Sequence, residues 1–426
     1  MLSKENNLLL CSVGPGTPTG QLFRSIWLPA LLSTQLSKSP ATPVRLKLLG
    51  EELVAFRDGE GKVGIVQSQC AHRLAPLYFG RVEANGIRCP YHGWLYDHTG
   101  QCREIPSEPS GTVCKNMAIK GYRTVEKADI VWIYMGDDEP PALPQFPWID
   151  LPKSQRMASV WLQESNWFQG VEGEIDSSHV SILHKSKDQR EVATMVHQKY
   201  TFLDPTPKLF TNDTAVGFHS IARRRAEDQG KHYWRLTQWM MPMFSLIPSA
   251  IWPIGGRAWV PIDDENTYTW DFSYSLDRDI PPEFVRTAID GKLFPPATDY
   301  GRKKLSTGAV IETWLPRRNK DNDYLIDRHQ QAEDWEVSGI YGVNDQDRAM
   351  QEGMGHISDR SREKLVAADV TVVTARRKVL DLVKSPESLA AFRALIRDGS
   401  VYNCNPIDTV MDVEDLKAFL GKVGLQ

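Results

Sequence analysis

The feature that most constrains this chain lies between Cys70 and Trp94: Cys70-Ala71-His72, sixteen residues, then Cys89-Pro90-Tyr91-His92-Gly93-Trp94. Two separate loops each bring one thiol and one imidazole. A zinc site of mixed composition usually pairs like with like, as C-x2-4-C and H-x3-5-H. Here each loop supplies one donor of each kind, so each can place its cysteine on one iron and its histidine on the other. A [2Fe–2S] centre with two thiolates on one iron and two imidazoles on its neighbour takes this donor set, and the loss of anionic charge raises its reduction potential. Cys70, His72, Cys89 and His92 are therefore candidate cluster ligands, with zinc as the rival reading.

At 426 residues the chain has room for two or three domains, and 41% hydrophobic with 24% charged residues is ordinary for a globular protein. A net charge of -4 gives no general attraction to nucleic acid. The basic runs Arg223-Arg224-Arg225 and Arg376-Arg377-Lys378 fall inside strand-like and helix-like patterns and are expected on solvated faces. Leu8-Leu9-Leu10 is too short for a leader, and no later run approaches a membrane span, so a cytoplasmic protein is expected. Cys11, Cys102, Cys114 and Cys404 lack framework spacing and are expected as reduced thiols.

From Val44 the chain reads as short strands: Val44–Leu48, Glu52–Phe56 and Val63–Val66, with turns at Asp58-Gly59 and Glu60-Gly61. Before them, Gln21 to Leu36 is expected to pack across this β-rich unit. After the two ligand loops, Ile105 to Ser110 carries Pro106 and Pro109 and is expected to cover the cluster. Ile130 to Gly136 closes the unit, and Asp137 to Pro152, acidic with five prolines, suits a connection. Later strands are expected at Ala215–Arg224, Tyr233–Trp239 and Thr267–Tyr274, the last with Tyr268, Trp270, Phe272 and Tyr274 on one face. Two closing helices follow, one capped by Asp369 and one opening at Ser385-Pro386-Glu387 and closed by Gly399.

The second constellation is Glu172-Gly173-Glu174-Ile175-Asp176-Ser177-Ser178-His179, continuing to His184 in a helix-like run from Asn166. Two histidines and a carboxylate on one face of an iron, with open positions opposite, are the ligands of non-heme Fe(II) oxygenases. On an ideal helix, residues five apart point about 140° away from each other. The helix is therefore expected to end or bulge near Ser181 to Leu183. Asp176, three residues before His179, would share its helix face and could hydrogen-bond its ring.

Together these motifs resemble the terminal oxygenase (alpha) subunits of Rieske non-heme iron ring-hydroxylating oxygenases. Val13 to Pro18, Asn166 to His179, Trp259 to Asp263 and Gln346 to Glu352 narrow the resemblance to the phthalate 4,5-dioxygenase branch. It implies an α+β chain: an all-β Rieske [2Fe–2S] domain over 1–150, with its N-terminal packing segment and linker, then a catalytic domain over 151–426 whose antiparallel sheet is flanked by helices. The mononuclear iron would take His179, His184 and Asp347, with Asp345 as the nearby competitor. Asp176 would also bond a cluster histidine, by position His92, from a neighbouring copy in a trimer or hexamer. Electrons would come from NAD(P)H through a separate flavin and iron–sulfur reductase, with dioxygen as co-substrate.

The branch implies an aromatic carboxylate substrate and cis-dihydroxylation. O-demethylation of a methoxylated aromatic acid, biaryl acids included, is the alternative, and a Rieske electron carrier without oxygenase chemistry a distant one. Candidate pocket residues are Arg235 and Lys208 for the carboxylate. Trp239, Met241 and Phe244, with Trp234, Met240, Met243 and Trp252 around them, are candidate walls for a flat ring.

Overall fold

An antiparallel six-stranded sheet organises the first third of the chain, in the order Trp27–Leu32, Ile130–Tyr134, Gly121–Lys127, Val63–Gln67, Glu51–Arg57, Val44–Leu48. The computed structural model describes residues 2–37, 41–108, 110–185, 198–248, 252–291, 295–333 and 337–425. Ile130–Tyr134 is buried along its whole length, as its uninterrupted apolar and aromatic sequence requires. A second, four-stranded sheet runs Arg81–Glu83, Gly86–Arg88, Leu95–Tyr96, Cys102–Glu104. The first ligand loop connects Val63–Gln67 to this small sheet, and the second is the hairpin between Gly86–Arg88 and Leu95–Tyr96.

The rest of the chain is built on an eight-stranded antiparallel sheet. Its order is Arg156–Gln163, Thr267–Tyr274, Ile254–Pro261, Phe244–Ile247, His232–Met240, Gly217–Arg225, Lys208–Thr214, with Ile407–Met411 also paired to His232–Met240. Thr267–Tyr274 alternates as expected, yet all eight of its residues are buried. Its aromatic face enters the main core, while the face carrying Asp271 looks toward the helix Trp167–Ile175 through Arg257 and Glu174. That helix rides close on the sheet. A Cβ at Gly170 would stand 2.1 Å from the Trp259 ring, which is why a glycine interrupts an otherwise good helical pattern.

Several expectations need correction. Trp27–Leu32 joins the six-stranded sheet, but the helices Lys4–Cys11 and Pro18–Arg24 before it dock on the second module. Asn166 donates to the Cys11 carbonyl at 3.0 Å, and the Val13 N–H donates to Asp264 at 2.8 Å. Asp369 does not cap the helix Val370–Lys384, because its carboxylate accepts instead from the Val366 N–H at 2.6 Å. Ser385 does cap Pro386–Leu395, accepting from the Ser388 N–H at 3.1 Å. That helix stops at Leu395, and Gly399, at φ 75°, opens the following turn instead of closing the helix. Neither basic run is a solvated face throughout, since Arg224 is 1% exposed and Arg376 is buried against Glu172 and Glu363. Among the described residues no helix is long and apolar enough to cross a membrane.

Candidate metal centres

The two ligand loops fold alike. The Leu74 N–H donates to the Cys70 carbonyl and the Gly93 N–H to the Cys89 carbonyl, both at 3.0 Å. The residue closing each loop is left-handed, Leu74 at φ 58° and Gly93 at φ 78°. A loop that tight points its cysteine inward: both sulfurs are buried, while His72 and His92 stand exposed with ring centroids 4.4 Å apart. Burial pushes the Cys89 thiol up, and the N–H groups of Tyr91 and His92 pull the other way by favouring the thiolate. The Tyr96 hydroxyl lies 3.2 Å from the Cys70 sulfur, and Trp94 stacks on His72 with 4.9 Å between centroids. Pro106 covers the second loop, since a Cβ at Gly93 would come within 2.9 Å of its ring, while Pro109 lies outside the described residues.

This geometry separates the two metal readings. A single zinc at 2.0–2.3 Å from each donor would draw all four donors to within about 4 Å of one another. No three of Cys70, His72, Cys89 and His92 converge within 4.8 Å; among the described residues only His179, His184 and Asp347 do so. Sulfurs inside and imidazoles outside fit a centre of two irons.

The second site grows from a broken helix. Asn166 caps Trp167–Ile175 by accepting from the Phe168 N–H at 3.1 Å, and the chain leaves the helix at Asp176, extended at φ -84° and ψ 104°. A new turn, Val180–Leu183, follows, with His179 and His184 at its two ends. The helix therefore breaks once at Asp176–Ser178, and the new turn ends at Leu183, inside the expected window. A short turn flanked by both histidines brings the rings together, with Nε2 to Nε2 at 3.2 Å. Asp347, on the helix Val343–Gly353, places Oδ1 at 3.2 Å from His184 Nε2 and 3.5 Å from His179 Nε2. A first-row metal about 2.1 Å from each atom can cap such a triangle.

Asp345 points away, toward Arg348 at 3.1 Å and Arg318 at 3.7 Å, so the geometry selects Asp347. Burial opposes the charge on Asp347, but the two imidazoles outweigh it and hold its carboxyl well below the usual range. Burial likewise disfavours a charged His179, yet Asp176 and Asp347 outweigh it and raise its pKa to about 10. Asp176 sits in the break and not on a shared helix face. Its Oδ2 is 3.4 Å from His179 Nδ1, its Oδ1 accepts from the Ser178 N–H at 2.8 Å, and 26% of the side chain faces solvent.

Three supporting residues escaped the sequence reading. The Gln346 amide donates to the Ile340 carbonyl at 2.9 Å, so its oxygen, 2.7 Å from His184 Nδ1, must accept. That puts the ring proton on Nδ1 and leaves Nε2 free for a metal. Arg257 bonds Glu174 at 2.9 Å and Asn344 at 2.7 Å, tying the helix that leads to His179 to the one that carries Asp347. Arg224 donates to the Ser177 carbonyl at 2.6 Å and the Ser181 hydroxyl at 3.2 Å, pinning the break and the turn that follows it. The available signal for Arg257 was a lone charged residue inside the otherwise uncharged strand Ile254–Pro261.

The sheet sorts the pocket candidates by face. Ser220 and Arg224 bond the metal-bearing segment, and the pairs Ser220–Thr237, Ala222–Arg235, Arg224–Tyr233 and Phe218–Trp239 put Arg235 and Trp239 on that same face. Lys208 pairs with Arg223 and so lies on the opposite face, exposed. Phe244 pairs with Met240, also opposite, and packs on Phe146 at 4.9 Å between centroids. Trp234 stacks on Phe419 at 4.3 Å on that far side. Lys208, Phe244, Met240 and Trp234 are therefore removed from the pocket. Met241 begins the turn after the strand, its N–H on the Val216 carbonyl.

Two family models match the chain, the Rieske [2Fe–2S] domain over residues 26–125 and the LigXa C-terminal domain like family over 133–394. The 3-chlorobenzoate-3,4-dioxygenase oxygenase subunit of Comamonas testosteroni is 38% identical over 91% of this chain and 90% of its own length. The phthalate 4,5-dioxygenase oxygenase subunit of Pseudomonas putida is 35% identical over 92% and 88%. The 5,5'-dehydrodivanillate O-demethylase oxygenase subunit of Sphingobium sp. is 29% identical over 96% and 87%. The chain belongs to the oxygenase subunits of the Rieske non-heme iron oxygenases. It is thus an oxidoreductase that works with a Rieske [2Fe–2S] cluster, a mononuclear iron and dioxygen.

Proposed function

We propose that this oxygenase subunit binds an aromatic carboxylate and adds both atoms of dioxygen across two adjacent ring carbons, giving a cis-diol. The observation that carries the substrate class is a pair of guanidinium groups, Arg224 and Arg235, on the sheet face from which Arg224 bonds the segment between Ser177 and Ser181 that carries His179. Among the described residues neither is in an ion pair, and burial, helped by the neighbouring Arg235 charge, brings the Arg224 pKa down to about 10. Arg224 is spent on Ser177 and Ser181, which leaves Arg235 to meet the carboxylate. Trp239 shares that face as a wall for the ring. The names of the two relatives with the higher identities support the same class.

On this reading Cys70, His72, Cys89 and His92 hold the cluster, and His179, His184 and Asp347 hold the iron. When bound, the cluster passes electrons one at a time and the iron activates dioxygen; the chain supplies position and charge. Gln346 keeps His184 in the ligating tautomer, Asp347 supplies the anion, and Arg257 holds the two helices in register. Ring, dioxygen, two electrons and two protons balance to the diol, the electrons coming from NAD(P)H through a flavin and iron–sulfur reductase. His92 is exposed and the Asp176 side chain is partly so, and on this reading Asp176 accepts from His92 of the partner subunit in a homotrimer or hexamer. We place the assembly in the cytoplasm.

Likeness to an O-demethylase supports a second reading at the same site, in which a methoxy carbon is oxidised and leaves as formaldehyde. Incubation of the iron-loaded protein, about three irons per chain, with a generic reductase and a panel of phthalates, chlorobenzoates and methoxybenzoates tests both. Diols support the first reading and formaldehyde the second. Turnover of neutral arenes alone overturns the carboxylate assignment.

A further inference from the structure

Four cysteines lie in one apolar cluster beneath the ligand loops, and only Cys70 and Cys89 belong to the motif. The other two are Cys102, which opens the strand Cys102–Glu104, and Cys114, in the short helix Thr112–Lys115. Their sulfurs stand 2.9 Å apart, with the residues 3% and 6% exposed. Non-bonded heavy atoms normally rest about 3.5–4.0 Å apart, so this pair is pressed together. A disulfide at about 2.05 Å requires a further closure of only about 0.9 Å.

The backbone around each cysteine is held through Met117, whose N–H donates to the Cys114 carbonyl at 3.1 Å. The Cys102 N–H donates to the Met117 carbonyl at 3.0 Å, and the Gln101 side chain donates to the same carbonyl at 2.9 Å. Cys114 rides on a one-turn helix entered through Gly111, at φ 70°, around which a Cβ would meet nothing within 4 Å. We propose that Cys102 and Cys114 form a redox pair that closes to a disulfide when a small-molecule disulfide such as oxidised glutathione accumulates. One cysteine sulfur, as thiolate, displaces one glutathione thiol to give a mixed disulfide. The second cysteine then attacks that bond and releases the other glutathione. The protein loses two hydrogens and two electrons, and two glutathione thiols gain them.

Closure would staple the segment between the two cysteines, which contains Pro106, the residue lying on Gly93 beside His92. Burial, helped by the neighbouring Cys114 sulfur, pushes the Cys102 thiol up to about 12. The pair therefore answers slowly to a sustained change of poise and takes no part in turnover.

The test uses the holoenzyme, held anaerobically at a series of reduced to oxidised glutathione ratios, then denatured in acid and alkylated with a maleimide. The expected result is uptake of two fewer maleimides at the oxidising end, a linked Cys102–Cys114 peptide and full reversal by dithiothreitol. Cys102→Ser and Cys114→Ser should each abolish the loss, while Cys11→Ser and Cys404→Ser should keep it. The linked peptide from the unaltered chain decides the matter even if a serine variant fails to fold. An unchanged maleimide count, or glutathione adducts with no linked peptide, would overturn the pair. Bleaching of the visible cluster band by a chelator should be several-fold slower after oxidation, and equal rates in the two forms would overturn the stapling.

Discussion

The Gln346 side-chain oxygen accepts from His184 Nδ1 at 2.7 Å, one residue before Asp347 in the same helix. One helix turn thus supplies both the carboxylate of the triangle and the acceptor that orients the facing imidazole. Gln346→Leu should weaken iron binding at the mononuclear site about 10- to 100-fold and leave the cluster spectrum alone. Fe(II) titration of the chelated protein reads this, and an unaltered affinity would take Gln346 out of that role.

Asp176→Asn keeps the size of the side chain and removes its charge. Both metal sites should load fully while turnover falls to near background, because the group reaching toward the neighbouring copy no longer accepts as an anion. Steady-state turnover beside iron analysis is the measurement, and wild-type activity would count against the bridge.

Arg235→Ala should raise KM for a carboxylate substrate far more than for its neutral amide or ester. The lost charged hydrogen bond corresponds to about 1.5–3 kcal/mol. A parallel comparison of KM and kcat on the two substrates separates binding from damage, and equal effects on both would clear Arg235.

Arg257→Met strands two buried carboxylates, Glu174 at 2.9 Å and Asp271 at 3.6 Å. Breaking a buried pair in this way costs about 3–5 kcal/mol. Thermal unfolding should begin at a clearly lower temperature, and the mononuclear iron should be lost before the cluster colour. Simultaneous loss of both would show that Arg257 serves overall stability only.

Asp271 has its pKa raised to about 6 by burial, against the pull of Arg257. Because the folded value exceeds the unfolded one, the folded protein keeps this proton between about pH 4 and 6 while the unfolded chain has released it. Its contribution to stability is full below the unfolded value and is lost as pH rises through 6. Asp271→Asn should flatten the decline between pH 4 and 6 in urea unfolding curves, and an unaltered slope would contradict the assignment.

The cluster motif was legible because its donors are local: each loop is closed by its own hydrogen bond, and four residue types in two short strings carry the chemistry. The histidine pair was less so, since five-residue spacing becomes meaningful only because the turn between them is short and ends at Leu183, and that turn is held by Arg224 bonding Ser177 and Ser181 from a distant strand. The Arg223–Arg225 run looked solvated because alternation says only that the middle arginine faces away from its neighbours. Whether the far side is covered depends on the segment Ser177–Ser181, which lies elsewhere in the sequence. Phe244 and Trp239 looked equally suited to a pocket until pairing decided: Trp239 faces Ser245 and the helix layer, while Met240 faces Phe244 and the core. A one-residue difference in parity exchanges the two sides of a sheet, and sequence alone does not give that parity.

In the ligand loops the sulfurs look in and the imidazoles look out, which gives the redox centre a front and a back. If the front is meant for another copy of the chain, colour and catalysis must part company on dilution. Scattered copies would keep their visible spectrum and lose their turnover, and concentration itself would set the rate.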